Sequence, residues 1–509
     1  MCEGTTQNDD ISFLLEHWLN FSRVANLSTR KQNFAKVEFY LEGLRERPSN
    51  FLDFFRNYGS RPRLSTEINQ DVLDSIEKGD YKPKRHAGII KTISSTLPKP
   101  VIDNIHAALK DQPLKALAAQ GIKLNQYLNS RHLPCEEDEL INRHEQAALH
   151  VEKKYNIPSD ITEEEKRDFR KRFEKQILRQ LQQKTYMWKA INYNDHRSKV
   201  YLIGRSSAEY AVLSRIFNEM KLRLPDFEPK SLFDFGSGVG TVTWAANQFW
   251  ENSLQEYFCI DASASMNELA NLVLNGKQAA ENPGKGYFYR QFLPASHTLK
   301  YDLVVSAFSL FELPNLKSRL ETILNLWKKT QGYLIVVEQG TNAGFQIINE
   351  VRDFILEFYN NEENALQPAA HVFAPCPHDK PCPRFAEDYT PCNFEVPYSN
   401  PFYPSTGILR EKFSYVVLKK GFRPEDDLQW PRLVRPVLPR ARHVVCRMCT
   451  SAGRLEEIIF TAAKHGKVTY KCARASHWGD LLPIEVKQPS ESENDNEDET
   501  KCFDEKDKT

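Results

Sequence analysis

The run Asp234-Phe235-Gly236-Ser237-Gly238-Val239-Gly240 decides the fold of this chain, because it places a glycine-rich turn directly after a short apolar strand at Leu232–Phe235. Gly236 and Gly238 allow backbone conformations that are closed to residues with a Cβ atom, and they let backbone N–H groups come close to a ligand. The helix that follows, from Thr241 to Phe249, presents the positive end of its dipole at the same place. The run therefore predicts a ligand site at the end of the first strand of a sheet.

Short apolar runs recur along this part of the chain, with room for a helix between each pair. They are Leu232–Phe235, Tyr257–Ile260, Leu303–Ser306 and Tyr333–Val337. Strands that alternate with helices in this way are typical of a parallel, doubly wound sheet. The predicted fold class is therefore α/β, with a Rossmann-like core.

The spacing of the glycines distinguishes two cofactors. A nicotinamide-binding fold spaces its last glycine as G-x-x-G, whereas a single residue separates Gly238 from Gly240. This spacing favours S-adenosylmethionine, whose carboxylate suits the helix N-terminus and whose ribose hydroxyls suit Asp261 after the second strand. A fold that has lost its ligand is the alternative. The predicted cofactor-binding residues are Asp234, Gly236, Ser237, Gly238, Gly240, Asp261 and Ser306.

No motif in the chain predicts catalysis. The loop after the fourth strand, Ser306-Ala307-Phe308-Ser309, lacks the Asn/Asp-Pro-Pro-Tyr/Phe arrangement that holds a target amine. Ala374-Pro375-Cys376 resembles the Pro-Cys nucleophile of cytosine-carbon methyltransferases, but it lies beyond the fifth strand and lacks the preceding Asp. Methyl transfer stays open, and the catalytic residues are unknown.

The charge of the 509-residue chain balances at 68 Lys and Arg against 68 Asp and Glu, but it is unevenly distributed. From Arg410 to Asp480 there are 15 Lys and Arg against seven Asp and Glu, a composition that polyanions favour. The end of the chain is acidic and rich in Ser and Asn, which predicts a disordered tail. No apolar run approaches the roughly 20 residues of a membrane-spanning helix, so no membrane partner is expected.

Six of the ten cysteines lie between residues 376 and 472, at Cys376, Cys382, Cys392, Cys446, Cys449 and Cys472. The amino terminus does not read as a secretory signal peptide, so metal binding is expected in place of disulfides. Four thiolates suit a four-iron cluster or a tetrahedral zinc. Only Cys446 and Cys449 have the short spacing of zinc sites, and proline flanks the upstream cysteines. Iron–sulfur is therefore favoured over zinc, and buried thiols without metal are the remaining alternative.

A basic, extended strip adjoins Cys446 and Cys449, with Trp430 and several prolines interleaved. Its predicted RNA-binding residues are Arg432, Arg435, Arg440, Arg442, Lys471 and Arg474. Such a strip can neutralise phosphates without reading sequence. A basic edge that serves only solubility is the alternative.

The predicted domain order begins with a mainly helical region over 1–195. It continues with a methyltransferase-like Rossmann core over 196–345, a helix and Cys-rich metal-binding insertion over 346–412, a basic β unit over 413–483 and a disordered acidic tail over 484–509. In the helical region Thr162 is expected to cap a helix whose basic face includes Arg170. A solvated helix face is favoured there over contact with nucleic acid.

The run Phe373-Ala374-Pro375-Cys376-Pro377-His378-Asp379-Lys380-Pro381-Cys382-Pro383 resembles the methyltransferase-like protein 17 family of mitochondrial small-ribosomal-subunit assembly factors. Glu338-Gln339-Gly340-Thr341-Asn342-Ala343-Gly344 upstream and Trp478-Gly479-Asp480 downstream extend the resemblance over Tyr201 to Pro483. It implies a class I S-adenosylmethionine-dependent methyltransferase fold and binding to the immature small-subunit ribosomal RNA. It also implies a 4Fe-4S cluster, whose ligands would be Cys376, Cys382, Cys392 and Cys449. In this family the fourth ligand precedes a small hydroxyl residue and a turn, so the resemblance points to Cys449 and not to Cys446.

The leading hypothesis is a mitochondrial assembly factor of the matrix, although the amino terminus lacks an Arg-rich transit peptide. It would bind ribosomal RNA through the basic strip, hold S-adenosylmethionine and depend on the iron–sulfur cluster. The rivals are an active ribosomal RNA methyltransferase and a zinc-stapled ribosomal protein that stays on the mature subunit. Since the metal would clamp the cysteine loop onto the basic unit, its loss should abolish RNA binding.

Overall fold

The computed structural model describes residues 64–90, 95–156, 162–184, 188–275, 286–296, 298–360, 369–388, 390–404 and 407–487. The predictions for the amino terminus and for the tail beyond 487 lie outside these ranges. The described residues form two compact units: a larger unit within 90–427, and a smaller unit formed by 64–89 together with 428–487.

The helices, in chain order, are α1 (Gln70–Lys78), α2 (Lys99–Ala108), α3 (Leu114–Ser130), α4 (Glu137–Lys154), α5 (Glu163–Lys184), α6 (Asp195–Arg223), α7 (Thr241–Trp250), α8 (Ala264–Asn275), α9 (Leu316–Lys329), α10 (Asn342–Asn360), α11 (Ala462–His465) and α12 (Lys467–Ala475). The strands are β1 (Ser65–Ile68), β2 (Ser231–Phe235), β3 (Glu256–Ile260), β4 (Gly286–Arg290), β5 (Tyr301–Ala307), β6 (Thr330–Gln339), β7 (Ala370–Ala374), β8 (Phe394–Tyr398), β9 (Leu409–Lys420), β10 (Arg432–Leu433), β11 (Leu438–Pro439), β12 (His443–Cys449), β13 (Leu455–Thr461) and β14 (Ile484–Lys487).

The central sheet of the larger unit has the order β4-β3-β2-β5-β6-β9-β7, and β8 pairs with β9. The strands from β4 to β6 run parallel, while β9 is antiparallel to both β6 and β7. This order, with a late antiparallel strand inserted beside the fifth parallel one, is that of the class I methyltransferase fold. The predicted fold class is confirmed. The sheet reverses its winding direction at β2 and β5, where ligands bind in folds of this kind.

The apolar runs form strands because both faces of the sheet are covered. Phe233, Val304 and Ile335 are fully buried in the middle of their strands, as expected for a parallel sheet between helices. The long helix α6 is buried along most of its length and packs on α3 and α7. A Cβ atom on Gly121 of α3 would lie 2.7 Å from the Cα atom of Gly204 of α6, so these helices cross in backbone contact.

The predicted start of the basic β unit at 413 is wrong. Phe413–Leu418 lies inside β9, whose register with β6 pairs Tyr415 with Val337 at the centre of the larger sheet. The run is buried on both faces there, which explains its continuous apolar character. The smaller unit begins at Leu428 and recruits residues 64–89 from the region expected to be helical, because β1 pairs with β14.

The smaller unit is built around β12, which pairs with β10, β11 and β13. Helix α12 covers the sheet, and a core containing Leu433, Met448, Phe460 and Leu482 lies between them. In the described ranges, no helix is long and apolar enough to cross a bilayer.

Candidate cofactor pocket, cysteine loop and basic strip

The glycine-rich turn lies between β2 and α7, at the carboxyl edge of the sheet. Gly236, Gly238 and Gly240 all have positive φ angles, of 70°, 51° and 92°. A Cβ atom on Gly236 would come within 2.3 Å of the Cβ atom of Ser309, whereas one on Gly238 would meet nothing nearer than a carbonyl oxygen at 3.9 Å. Gly236 is therefore required for packing, and Gly238 borders open space that a ligand can enter.

Asp261 follows β3 and lies against this turn, as the sequence predicted. Its carboxylate accepts hydrogen bonds from the backbone N–H groups of Gly238 at 3.0 Å and Ser263 at 2.8 Å. Burial raises the pKa of Asp261, although both hydrogen bonds favour the charged form. The carboxylate is thus tied to the turn while its side chain keeps some exposure, which suits a hydrogen-bond acceptor for ligand hydroxyls.

Ser306 lies under the turn, at the end of β5. It is fully buried, and its hydroxyl is 2.7 Å from that of Ser309, which in turn donates to the carbonyl oxygen of Phe235 at 3.0 Å. These contacts make Ser306 a support of the turn. Ser237 is also buried, and its N–H donates to the carbonyl oxygen of Ile260 at 2.9 Å.

Asp234 carries a buried carboxylate at the base of the pocket. Both of its oxygens lack a hydrogen-bond partner in the described part of the chain. Burial raises its pKa well above the ordinary value, and the charges of Asp261 and Glu209 raise it further. A buried carboxylate without a partner is costly unless a cationic or donating ligand compensates for it.

Glu209 was missed by the sequence reasoning. It lies on α6 and accepts hydrogen bonds from the hydroxyls of Thr241, at 3.3 Å, and Tyr201. Burial raises the pKa of Glu209. Since Thr241 is the first residue of α7, α6 places an acidic group directly beside the helix N-terminus that the cofactor prediction invoked.

Arg205, one turn before Glu209, was also missed. Its guanidinium is fully buried, donates to Glu209 at 3.3 Å and to Glu411 of β9 at 2.9 Å, and lies over the ring of Phe308. Phe308 has a φ of 57°, a strained conformation for a non-glycine residue at the end of β5. This network joins α6, β5 and β9 around the pocket.

The loop after β5 is filled by apolar side chains. Leu310 and Phe311 are buried, and Arg131, directly after α3, lies over the Phe311 ring while pairing with Glu312 at 2.5 Å. Glu338 at the end of β6 accepts the N–H of Phe311 at 3.3 Å. Burial raises the pKa of Glu338 to about 8. The loop is therefore held as packed structure where catalytic methyltransferases of this fold hold a target group.

The cysteine loop after β7 brings Cys376 and Cys382 near each other. Burial and the charge of Cys376 raise the pKa of Cys382 to about 11, while hydrogen bonding from the backbone of Phe385 and Arg384 lowers it. Arg352 of α10 donates to the carbonyl oxygens of His378, at 3.3 Å, and Lys380.

Arg352 places a buried positive charge near these two thiols. Burial alone would lower the pKa of Arg352, but the charges of Cys376, Asp353 and Cys382 raise it. Asp379, inside the loop, pairs with Arg423 at 2.9 Å and 3.0 Å. Sulfur atoms that receive backbone N–H groups beside a buried cation suit anionic thiolate ligands.

The other candidate ligands lie apart in the chain. Cys392 precedes β8, and its carbonyl oxygen accepts from Ser414 at 2.8 Å. Cys449 ends β12 in the smaller unit, and Cys446 is buried in that unit's core, with a pKa raised to about 12 by burial. Among the residues described, no three His, Cys, Asp or Glu side chains form a group that could hold a metal ion.

Two members of the basic strip are not surface residues. Arg432 is 1 % exposed, and its guanidinium donates to the carbonyl oxygen of Gly479 at 2.8 Å. Trp430 is buried with Val72 and Leu481. The prediction that Arg432 contacts RNA is wrong, because β10 turns it into the smaller unit.

The remaining strip residues lie at or near the surface. Arg440, Arg442, Lys471 and Arg474 are exposed, and Arg435 is half-buried. Arg474 donates to the carbonyl oxygen of Arg440 at 2.6 Å, and it lies one turn after Lys471 on α12. The structure therefore brings one end of α12 and the turn before β12 together as a single basic surface.

A comparison with protein families gives one match that covers more than half of the chain. The family described as "Mitochondrial small ribosomal subunit Rsm22" matches residues 195–483. The chain belongs to the Rsm22 family. This match spans the glycine turn, the cysteine loop and the basic strip, and it confirms the resemblance derived from the sequence.

Curated relatives of the Rsm22 chain come from human and fission yeast. It is 40% identical over 404 residues to the human "Ribosome assembly protein METTL17, mitochondrial", covering 79% of this chain and 86% of the human one. It is 28% identical over 353 residues to the Schizosaccharomyces pombe "Rsm22-cox11 tandem protein 2, mitochondrial", covering 58% of this chain and 44% of the yeast one. The chain thus spans less than half of the tandem protein. The predicted mitochondrial location is confirmed.

Solved structures with lower similarity include a putative RNA methyltransferase from Pyrococcus horikoshii, at 13% identity and a TM-score of 0.27, which covers 42% of this chain and 85% of that one. Another is magnesium protoporphyrin IX methyltransferase from Synechocystis with bound S-adenosylmethionine, at 12% identity and a TM-score of 0.28, covering 46% and 87%. The fold assignment rests on the strand order of the central sheet.

Proposed function

We propose that this protein assists assembly of the mitochondrial small ribosomal subunit and does so by binding its ribosomal RNA. The observation that carries the proposal is the 40% identity to the human ribosome assembly protein over 86% of that protein's length. The 404 aligned residues are more than the family-matched region from 195 to 483 contains, so the similarity extends beyond that region.

RNA binding is assigned to the basic surface of the smaller unit. Arg440, Arg442, Lys471 and Arg474 are exposed, and Arg435 lies at its margin. Arg442 is exposed, whereas Arg432 is buried and donates to the carbonyl oxygen of Gly479. Exposed guanidinium and ammonium groups bind phosphates mainly through charge, so this surface suits an RNA backbone and not a particular base sequence.

S-adenosylmethionine is the ligand that the glycine turn fits. Gly238 leaves space beside its backbone N–H, Asp261 offers a carboxylate for the ribose, and the unpartnered carboxylate of Asp234 suits a ligand carrying positive charge. Bound there, this cofactor can donate a methyl group. The packed Leu310 and Phe311 after β5 favour a role for the bound ligand in structure or sensing over methyl transfer.

A 4Fe-4S cluster on Cys376, Cys382, Cys392 and Cys449 is part of the same proposal, with zinc as the alternative metal. Support comes from the neighbouring thiols of Cys376 and Cys382, the backbone N–H groups near Cys382 and the cation of Arg352. Cys446 packs in the apolar core of its unit, and Cys449 is kept as the ligand that the family resemblance implies. Such a cluster would make a stable RNA-binding form depend on cofactor supply.

A complementation experiment separates assembly from methylation. Cells that lack the protein receive wild type, Asp261→Asn or Gly238→Ala, and both mature small subunits and methylation of small-subunit ribosomal RNA are measured. Impaired subunit accumulation with an unchanged methylation pattern is expected. Normal accumulation together with the loss of one specific methyl mark would establish the methyltransferase alternative in its place.

A further inference from the structure

Lysine side chains gather at the edge of the central sheet opposite the glycine turn. Lys300 directly precedes β5, Lys328 lies in the last turn of α9, and Lys420 is the last residue of β9. Since β5 and β6 begin where β9 ends, the sheet itself brings these three residues together. We call them the lysine edge.

The ammonium groups of the lysine edge lie close enough to repel each other. Lys300 donates to the carbonyl oxygen of Lys328, and its charge lowers the pKa of Lys328 beyond the effect of burial. Burial and the charge of Lys300 lower the pKa of Lys420 to about 8, and its ammonium lies 5.3 Å from the ring centre of Trp327. The fold therefore holds like charges together, at a cost in the free energy of folding.

Within the described part of the chain, no acidic side chain pairs with these charges. The nearest carboxylate along the chain, that of Asp302, is turned to β2, where it accepts from the N–H groups of Lys230 and Ser231 at 2.8 Å and 3.1 Å. Across the described ranges, none of the three lysines forms an ion pair with a carboxylate. The carbonyl end of α9 offers only about half a negative charge, which leaves most of the positive charge unmatched.

Apolar side chains next to the lysines are exposed. Phe422 is 84 % exposed and follows Lys420 by two residues, and Leu299 is 66 % exposed and directly precedes Lys300. An exposed aromatic ring beside unmatched cations is the combination that binds single-stranded nucleic acid, in which phosphates contact the cations and a base stacks on the ring.

We propose that the lysine edge and Phe422 form a second RNA-binding surface, on the larger unit, which takes single-stranded RNA. Phosphates contact Lys300, Lys328 and Lys420, and one base stacks on Phe422. This proposal rests on the RNA-binding function proposed above, but it uses none of the basic surface of the smaller unit. It gives the methyltransferase-like unit a direct contact with RNA that lies away from the cofactor pocket.

The test measures binding of the full-length protein to a fluorescent oligouridylate of about 12 nucleotides, a length within the site sizes of single-strand binders. The variant Lys300→Gln/Lys328→Gln/Lys420→Gln is compared with Lys115→Gln/Lys123→Gln/Lys317→Gln, which removes the same charge from exposed lysines elsewhere on the larger unit. The loss of three phosphate contacts should make the slope of log K against log salt shallower by about 2. At 0.1 M salt this corresponds to a loss of affinity of roughly 100-fold.

Phe422→Ala tests the base contact. It should weaken oligouridylate binding by roughly five-fold or more, and it should leave binding of an abasic oligonucleotide of equal length unchanged. Equal affinity and salt slope for the two triple variants would overturn the proposal. The proposal would also be overturned if polyglutamate bound as tightly as the oligouridylate and Phe422→Ala left that binding unchanged. Such a result would indicate an acidic protein as the partner.

The two RNA surfaces fail independently. If wild type binds no RNA, the proposed function itself fails. If Arg442→Glu/Lys471→Glu abolishes binding while the lysine-edge variant matches its control, the function stands and the second surface is refuted.

Discussion

Gly238→Ala should separate ligand binding from folding at the glycine turn. Gly238 has a φ of 51°, and a Cβ atom there meets nothing closer than 3.9 Å. The left-handed conformation costs alanine about 1–2 kcal/mol, so the free energy of unfolding should fall by about that amount. The added methyl group nevertheless occupies the open space beside the N–H that holds Asp261. Binding of S-adenosylmethionine should therefore be lost.

Gly236→Ala supplies the contrast. It adds the same backbone strain, at a φ of 70°, and also drives a Cβ atom to 2.3 Å from Ser309. Overpacking raises the expected loss to about 2–5 kcal/mol. Gly421→Ala is the control, because Gly421 has a φ of 104° with open space around it and lies at the opposite edge of the sheet. It should lose some stability and keep its ligand affinity.

Urea unfolding and isothermal titration with S-adenosylmethionine measure the two quantities. The reasoning is refuted if Gly238→Ala binds the ligand as tightly as wild type. It is equally refuted if Gly238→Ala loses as much stability as Gly236→Ala, because the turn would then have no open side.

Three further predictions test other parts of the molecule. Arg432→Gln should lower the free energy of unfolding of the smaller unit by about 1–3 kcal/mol, because it removes the guanidinium that donates to the buried carbonyl oxygen of Gly479. Arg442→Gln, by contrast, should weaken RNA binding and leave urea unfolding unchanged. Glu338 has a pKa of about 8 in the folded protein against 4.5 ordinarily, so the folded state binds its proton more tightly. The free energy of unfolding should therefore fall progressively as the pH rises from 4.5 to 8. Glu338→Gln should remove roughly 2–4 kcal/mol of that pH-dependent loss. If the free energy of unfolding depends on pH in the same way in wild type and variant, the raised pKa of Glu338 is contradicted. After anaerobic purification, Cys382→Ser should lose both iron and RNA crosslinks. Cys446→Ser should lose only stability. A colourless wild-type protein loaded with zinc would rule out the iron–sulfur cluster.

Local spacing made part of the site predictable. The glycines and Asp261 follow strands whose apolar runs are visible in the sequence, and parallel strands bring their carboxyl ends to one edge. Arg205 and Glu209 gave no comparable signal. They lie in a helix that is buried on nearly all sides, so polar and apolar positions do not separate into faces, and Glu411 is 206 residues from Arg205.

The errors in the basic region have the same cause. Arg432 and Trp430 belong to a segment of Arg and Pro that is typical of an exposed strip, and their burial depends on pairing with β12 and on contacts with Val72 and Gly479. Phe413–Leu418 is a strand in either interpretation. Which sheet it joins depends on a pairing with β6 that is distant in the chain.

The sequence by itself determined the glycine turn from Asp234 to Gly240, the fold class and the thiols of the cysteine loop, because backbone conformation and strand periodicity are encoded by neighbouring residues. Only the tertiary structure decided which charges are buried and which face solvent. Arg432 became a structural donor, Glu209 reached the cofactor helix, and Lys300, Lys328 and Lys420 met at one edge. Burial and charge proximity arise from contacts between distant segments, and no local pattern specifies them.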